Sequence, residues 1–491
     1  MAANLKAVDM SQSQDELASL EDFPMASEEQ DTIAEALDTH APAVLYITLG
    51  CAKNEVDTNR MKSLLERAGY REAAEVAEAD VALINTCSFL ASATSESIEA
   101  TLELAEEREQ ASLDLPIIMC GCVPSRYGDG LPTELPEVAA FVRTDEEDRI
   151  VEVVDEVLGR QDVSTVPEAA QMEGAGQVLR TVESASAYVK ISDGCDRYCS
   201  FCAIPNIRGR YASRPAAEIK QEIQGLLDGG VKEIVLIGQD TGVWGSDFDE
   251  PSTLADLLNE LDPVVAEKGA WLRVLYLQPE GMTDELVAAI RDNPSVLPYI
   301  DIPIQHVSEP VLKAMRRQGN AQELRELFGR LRQEIPNMVL RTTGLVGFPG
   351  ETDEQFDELD EFLREVGFDY VSVFAYSPEE GTLAAKMDNQ ITTNTKLERT
   401  QRLVDTAEDL GFAATAAHVG ETVDVIIDGI EEEGDMAEFI GHAWFQAPDS
   451  DGAVHIPEGE YAIGDVVPVK LVDAFCYELV GEPLDSPKES R

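Results

Sequence analysis

Apolar residues fall into three regimes along the chain. From Ala43 to about residue 160, short apolar runs alternate with stretches of helical period. Val44-Leu45-Tyr46-Ile47 precedes a helical pattern from Asn54 to Ala68, Val81-Ala82-Leu83-Ile84 precedes one around Glu96–Arg108, and Pro116-Ile117-Ile118-Met119 follows. Unbroken apolar runs separated by helices predict buried parallel strands in an open α/β sheet. A second alternation predicts strands at Tyr188–Ser192, Glu233–Gly238, Leu272–Leu277, Tyr299–Ile304, Val339–Val346 and Tyr370–Phe374, βα units that fit a full or partial barrel. After about Gly411 the pattern shortens to β-like runs, Thr422–Ile427 and Val466–Val472, around a turn-rich Ala447-Pro448-Asp449-Ser450-Asp451-Gly452, which predicts a small antiparallel β-barrel. The expected division is an acidic leader at 1–41, domains at 42–160, 181–412 and 413–482, a linker at 161–180 and a tail at 483–491.

Ligands of open parallel sheets gather at the carboxyl ends of the strands. There the first three runs deliver Cys51, Cys87 and a choice of Cys120 or Cys122. A single small buried thiol is ordinary in a sheet, whereas three at equivalent strand ends suggest a site. Cys122 is favoured over Cys120 because it lies beyond the Gly121 break, which leaves Cys120 as a strand thiol. Cys476, alone in an apolar run, reads as core. After the first strand of the second region, Cys195, Cys199 and Cys202 lie at spacings of four and three. Three thiolates so spaced can hold three corners of a cubane iron–sulfur cluster and leave the fourth iron open. A zinc knuckle needs a fourth ligand, and neither Cys nor His follows nearby. The open iron could be chelated by the amino and carboxylate groups of S-adenosylmethionine, whose reductive cleavage gives a 5′-deoxyadenosyl radical. The Gly344–Thr352 loop is expected to offer close backbone approach and free amides, with Gly347 and Glu351 facing the cofactor. Gln239-Asp240-Thr241 and Gln305-His306 end strands on the same face, and Gln239 and Asp240 are also taken as cofactor-facing.

Charge and cysteine usage narrow the setting. The 491 residues carry 37 Lys and Arg against 95 Asp and Glu, a net charge of −58 that repels nucleic acid unless cations are concentrated locally. Such acidity suits a salty cytosol, since molar salt shortens the screening length to about 3 Å. Eight cysteines, with neither an export signal nor a run of about 18 apolar residues, predict a cytoplasmic protein with metal-binding thiols rather than disulfides.

The motifs Gly50-Cys51-Ala52-Lys53-Asn54, Asn85-Thr86-Cys87, Gly121-Cys122, Gly194-Cys195 through Pro205, Arg208-Gly209 with Ser213-Arg214, and Gly347-Phe348-Pro349-Gly350-Glu351-Thr352 resemble those of the radical S-adenosylmethionine methylthiotransferases, over residues 42 to about 482. The resemblance implies a flavodoxin-like domain, a radical-SAM barrel and a C-terminal TRAM domain. It implies two 4Fe-4S clusters, one on Cys51, Cys87 and Cys122 that carries the sulfur and one on Cys195, Cys199 and Cys202 that generates the radical. Two molecules of S-adenosylmethionine would serve, one as methyl donor and one as radical source. One branch of the family modifies transfer RNA adenosine. The other, RimO-type, modifies the β-carbon of an aspartate in small-subunit ribosomal protein twelve. Gln239-Asp240-Thr241, Ile302-Pro303-Ile304-Gln305-His306, Arg341-Thr342-Thr343 and Tyr376 through Thr382 resemble the second, while His442-Ala443-Trp444 stands where an Arg is expected in the TRAM domain. The implied partners are the ribosomal protein or ribosome and a reductase as electron donor, with the enzyme a monomer. The alternatives are the RNA branch, a radical enzyme whose N-terminal cysteines are structural, and a non-catalytic iron–sulfur or RNA-binding scaffold.

Overall fold

The computed structural model describes residues 41–160, 182, 184–433 and 436–484. Apart from residue 41, the expected leader lies outside these residues, as do the expected linker and the tail beyond residue 484. The N-terminal runs form a parallel sheet of β1 (Ala43–Thr48), β2 (Arg71–Glu72), β3 (Val81–Thr86), β4 (Ile117–Gly121) and β5 (Val138–Arg143), in the order β2-β1-β3-β4-β5. β3 and β4 are buried at every position, which is why they read as unbroken apolar runs. Helices Ala52–Arg67 and Ile150–Val157 pack on one face through Met61, Leu65, Ile150 and Val154, and helix Ala91–Gln110 packs on the other through Leu104 and Ala105. The strand order reverses between β1 and β3, and a crevice for a ligand opens at such a point.

The second region is a partial barrel. Strands β6 (Ser186–Lys190), β9 (Glu233–Ile237) and β10 (Trp271–Val274) form one parallel sheet, and β11 (Tyr299–Asp301), β12 (Val339–Val346) and β13 (Tyr370–Ala375) form another. Leu277 N–H donates to Asp301 C=O at 2.9 Å and joins the two. The short ribbon of β7 (Ser192–Asp193) and β8 (Ala212–Ser213) brackets the Cys195 loop. β11 is shorter than the expected Tyr299–Ile304 because Pro303 has no N–H to continue the ladder. Side chains alternate across these strands. Val189, Ile234, Leu236, Leu272, Ile300 and Leu340 face the helices, whereas Tyr188, Val235, Ile237, Tyr299, Val339 and Tyr370 share a core with the C-terminal domain.

That domain is a closed barrel of β14 (Thr422–Glu433), β15 (Met436–Ala443), β16 (Val454–Ile456), β18 (Leu479–Pro483) and β17 (Val466–Ala474) in this order. All its pairings are antiparallel except β16 with β18. Its 447–451 turn docks on the inner face of the strand fan. Tyr188 OH donates to Pro448 C=O at 3.0 Å, Tyr299 OH donates to Asp451 at 2.5 Å, and Arg341 joins Asp451 to Asp301 at 3.1 Å each. Beneath them Glu233 accepts from Arg273 at 2.6 Å and pairs with His442 Nε2 at 2.5 Å, while His442 Nδ1 meets Asp428 at 2.5 Å. Burial alone would discharge both groups. The Glu233 carboxylate nevertheless raises His442 to about 9, and Arg273 with His442 lowers Glu233 to about 2. His442, out of place by the sequence pattern, is thus the cation that ties the terminal barrel to β9.

Candidate functional site

The N-terminal crevice is built around Asn54. Its Nδ2 donates to Leu49 C=O and Thr86 C=O, both at 2.9 Å, which turns Oδ1 toward the thiols of Cys51 at 3.8 Å and Cys122 at 4.0 Å. Cys87 closes the group, for a side chain at Gly50 would stand 3.0 Å from its sulfur. Gly121 must be glycine, with φ +92° and a position for Cβ only 2.2 Å from Asn85 Oδ1. This turn throws Cys122 into the crevice. Cys120, one residue inside β4, points into the sheet core with Val44, Leu83 and Ile118, away from the other thiols. Cys476 departs from its expected core position: it is half-buried and meets Glu408 C=O at 3.7 Å.

The Cys195 loop lies against this crevice. Cys122 packs on Ala203 and Ile207, so the first triad touches the residue after Cys202. Buried charges bridge the two triads. Arg208 Nη2 reaches Asn54 Oδ1 at 3.1 Å and Cys122 Sγ at 3.8 Å, and Nη1 pairs with Asp57 at 2.9 Å and Asp193 at 3.1 Å. Lys190 also joins Asp57 to Asp193, at 2.5 and 2.9 Å. Burial pushes Asp193 up, but Lys190 and Arg208 overrule it and hold the carboxyl well below its usual range. Asp193 then accepts from Gln239 Nε2 and from Gly194 N–H, both at 2.9 Å, and so fixes the start of the cysteine loop. Burial raises the thiols of Cys122 to about 11 and of Cys202 to about 12.

Beside Cys195, Arg197 Nε binds Asp240 Oδ2, and Arg197 Nη1 binds Glu280 at 3.0 Å. Asp240 Oδ1 and Gln239 Oε1 are buried without a hydrogen-bond partner. Arg197 and Asp240 also line a cleft of about 370 Å³ with Tyr211 and Asp247. Unpartnered acceptors beside a thiol triad fit a ligand rich in donors, such as the amino and ribose groups of S-adenosylmethionine. Among the described residues no group of His, Cys, Asp or Glu is arranged to hold a single metal ion.

The Gly347 loop differs from expectation. Its amides are not free, because Glu351 Oε2 accepts from Gly347 N–H at 2.9 Å and Phe348 N–H at 3.3 Å, and Thr352 with Gln355 forms a capping box at the helix start. Arg399 holds Glu351 Oε1 at 2.7 Å. Glu351 therefore shapes the loop from within, at 3% exposure. His306 is also inside the scaffold: Nδ1 accepts from Val307 and Ser308 N–H at 2.9 and 3.0 Å, and burial lowers its basicity to about 3.

Comparison with known proteins accounts for this arrangement. Models of the Radical SAM superfamily, the uncharacterized protein family UPF0004 and the TRAM domain match residues 189–363, 43–143 and 419–484. A ribosomal protein uS12 methylthiotransferase RimO from Pelobacter propionicus is 41% identical over 447 residues, 90% of this chain and 98% of its own. The chain belongs to the RimO family. A second member, from Synechococcus sp. RCC307, is 40% identical over 456 residues, 92% of this chain and 91% of its own. The radical S-adenosylmethionine methyltransferase TsrM of Kitasatospora setae shares the fold at 14% identity, with a TM-score of 0.53 over 68% of this chain and 75% of its own. The chain is accordingly a radical S-adenosylmethionine enzyme of the methylthiotransferase class. No helix among the described residues is long and apolar enough to cross a membrane.

One motif residue does a job that sequence reasoning missed. Glu379, in a stretch that marks this branch, is 2% exposed and clasps the N-terminal domain. It accepts from Ala91 N–H at 3.0 Å at the start of helix Ala91–Gln110 and from Arg126 at 3.1 Å, while Arg126 also donates to Ser88 C=O at 2.7 Å. A carboxylate at a helix N-terminus with a paired Arg is a strong tie. A signal was present: an acidic residue in a Pro-Glu-Glu-Gly turn at a strand end, on the face expected to meet the N-terminal domain.

Proposed function

We propose that this protein methylthiolates the β-carbon of an aspartate in small-subunit ribosomal protein twelve. Cys51, Cys87 and Cys122 would hold one 4Fe-4S cluster, and Cys195, Cys199 and Cys202 another. When bound, the clusters supply an electron for cleavage of S-adenosylmethionine at the second triad and sulfur at the first. The observation that carries this reading is the junction itself: two cysteine triads from two domains, packed together through Cys122, Ala203 and Ile207.

The residues around the triads have separate tasks. Arg208 and Lys190 offset the negative charge that two sets of thiolates and Asp57 bring to one buried place. Gln239 and Asp240 present acceptors to S-adenosylmethionine, with Asp240 held by Arg197 and Gln239 by Asp193. The Gly347 loop is braced from within by Glu351. A reductase supplies electrons from outside the chain, and the enzyme acts as a monomer in the cytoplasm.

A protein substrate is favoured over transfer RNA by charge. Within the TRAM segment 419–484 Lys470 is the single Lys or Arg, and phosphate binding requires several cations on one surface. A basic ribosomal protein is complementary to the same surface. Anaerobic reconstitution followed by iron counting tests the two-cluster assignment. About eight irons per chain are expected, and about four would defeat it.

A further inference from the structure

The charge of the chain changes sign around the Cys195 loop. Three segments, 197–217, 310–322 and 381–387, hold eight of the 37 Lys and Arg and none of the 95 Asp and Glu. They meet at Ser200, between Cys199 and Cys202. Ser200 N–H donates to Met315 C=O at 3.0 Å, its hydroxyl donates to Ala314 C=O at 2.8 Å, and its C=O accepts from Ala384 N–H at 2.8 Å. Arg197, Arg208, Arg210 and Arg214 each meet a carboxylate from outside the segments, and Arg317 donates to Gln278 and to Pro303 C=O. Lys313, Arg316 and Lys386 are different. All three are exposed, and among the described residues their side chains have neither an ion pair nor a hydrogen bond.

Each of these cations lies one or two residues from the backbone that holds Ser200. Tyr198, within the loop, and Leu383, beside Ala384, are exposed large side chains in the same place. The thiols of Cys195, Cys199 and Cys202 are half-buried beneath them. The nearest carboxylates along the flanking segments, Glu309 and Asp388, stand just outside them. Apolar side chains among unpaired cations suit a protein partner of opposite charge. Elsewhere the net charge of −58 repels an acidic protein, and a protein from the same salty cytosol is acidic for the same reason as this chain. A basic ribosomal protein is repelled by these three cations, and three are few for a run of phosphates.

We infer that Lys313, Arg316 and Lys386, with Tyr198 and Leu383, form the docking surface for the electron donor, a small acidic one-electron carrier protein. The inference rests on the proposed function, which needs a reductant, and adds where that reductant binds and by what charge. The carrier gives up one electron at the Cys195 triad. That electron breaks the sulfur–carbon bond of S-adenosylmethionine and leaves methionine with the 5′-deoxyadenosyl radical.

The probe is an acidic flavodoxin, titrated onto the reconstituted full chain to give a dissociation constant. Wild type is compared with Lys313→Gln/Arg316→Gln/Lys386→Gln and with a control, Lys268→Gln/Arg291→Gln, whose exposed cations precede β10 and β11 and lie at the other ends of the strands. The triple variant should bind about tenfold more weakly, from the loss of three exposed pairs. That gap should narrow in about 1 M salt. The control should stay within about twofold of wild type. With dithionite, a small reductant that needs no docking, both variants should form 5′-deoxyadenosine at the wild-type rate and hold the wild-type iron content. Failure of wild type to bind flavodoxin, an unchanged constant in the triple variant, an equal loss in the control, or a matching loss of dithionite-driven cleavage would overturn the inference. So would a loss of affinity for ribosomal protein twelve or for transfer RNA in place of flavodoxin. If wild type cannot cleave S-adenosylmethionine with dithionite, the proposed function falls and this inference with it. If wild type cleaves it and the triple change leaves flavodoxin binding untouched, the inference falls alone.

Discussion

Replacing His442 by Gln should remove the pH dependence of the joint between the barrel and the TRAM domain. His442 is raised from 6.5 to about 9 by Glu233 and Asp428 against the opposing effect of burial. A group whose folded value is raised contributes fully below its unfolded value and loses that contribution as pH climbs through the folded one. The window is therefore pH 6.5 to about 9. Across it Glu233, held near 2, stays charged. At roughly 1.4 kcal/mol per unit, the shift is worth about 3 kcal/mol in wild type and nothing in His442→Gln. Trp271 packs edge-on to His442 at 5.9 Å, and Trp444 C=O accepts from Arg273 at 3.0 Å, so tryptophan emission reports on the joint. Urea unfolding followed by that emission, at pH 6.5 and pH 9, should bring the two proteins together by about 3 kcal/mol as pH rises. Taking the difference between wild type and variant cancels the cysteine thiols, which titrate in both. Parallel pH profiles for the two proteins would refute the reasoning.

Other perturbations test the junction. Cys199→Ala should abolish 5′-deoxyadenosine formation, whereas Cys87→Ala should spare it and stop methylthio transfer, both read by chromatography of the reaction products. Gly121→Ala must move Asn85 or the Thr86 backbone and cannot hold φ +92° without strain, so iron content should fall by about half, to the Cys195 cluster alone. Glu379→Gln leaves the Ala91 amide and Arg126 weakly paired, at a cost of about 1–3 kcal/mol. Hydrogen exchange over residues 88–97 should quicken while exchange in β9 stays as it is, and an unchanged rate at 88–97 would remove the clamp from the account.

The pattern of apolar runs was enough to divide the chain into two α/β regions and a terminal barrel, because buried parallel strands leave an unmistakable run. It missed β5 and helix Ile150–Val157, since Val138-Ala139-Ala140-Phe141-Val142 is diluted by small residues and lies after a turn-rich stretch. β15, β16 and β18 are short or half-exposed and carry no such run. At the site, the grouping of Cys195, Cys199 and Cys202 in one loop was legible because their spacing is local. The roles of Glu351, His306 and Glu379 were not. Each sits at a strand end on the expected face, but whether a carboxylate turns outward to a ligand or inward to its own loop depends on Arg399 and Arg126, which are distant in sequence. Cys120 and Cys122 were separable only through the Gly121 kink, a backbone property. The pairing of Arg208 with Asp57 and Asp193 crosses domains and leaves no mark in any single segment.

The most direct test of the account is mass spectrometry of ribosomal protein twelve and of transfer RNA after each is incubated with reduced, reconstituted enzyme and S-adenosylmethionine. The account predicts a methylthio group on the β-carbon of one aspartate and unmodified RNA. An unmodified aspartate alongside methylthiolated adenosine would contradict it.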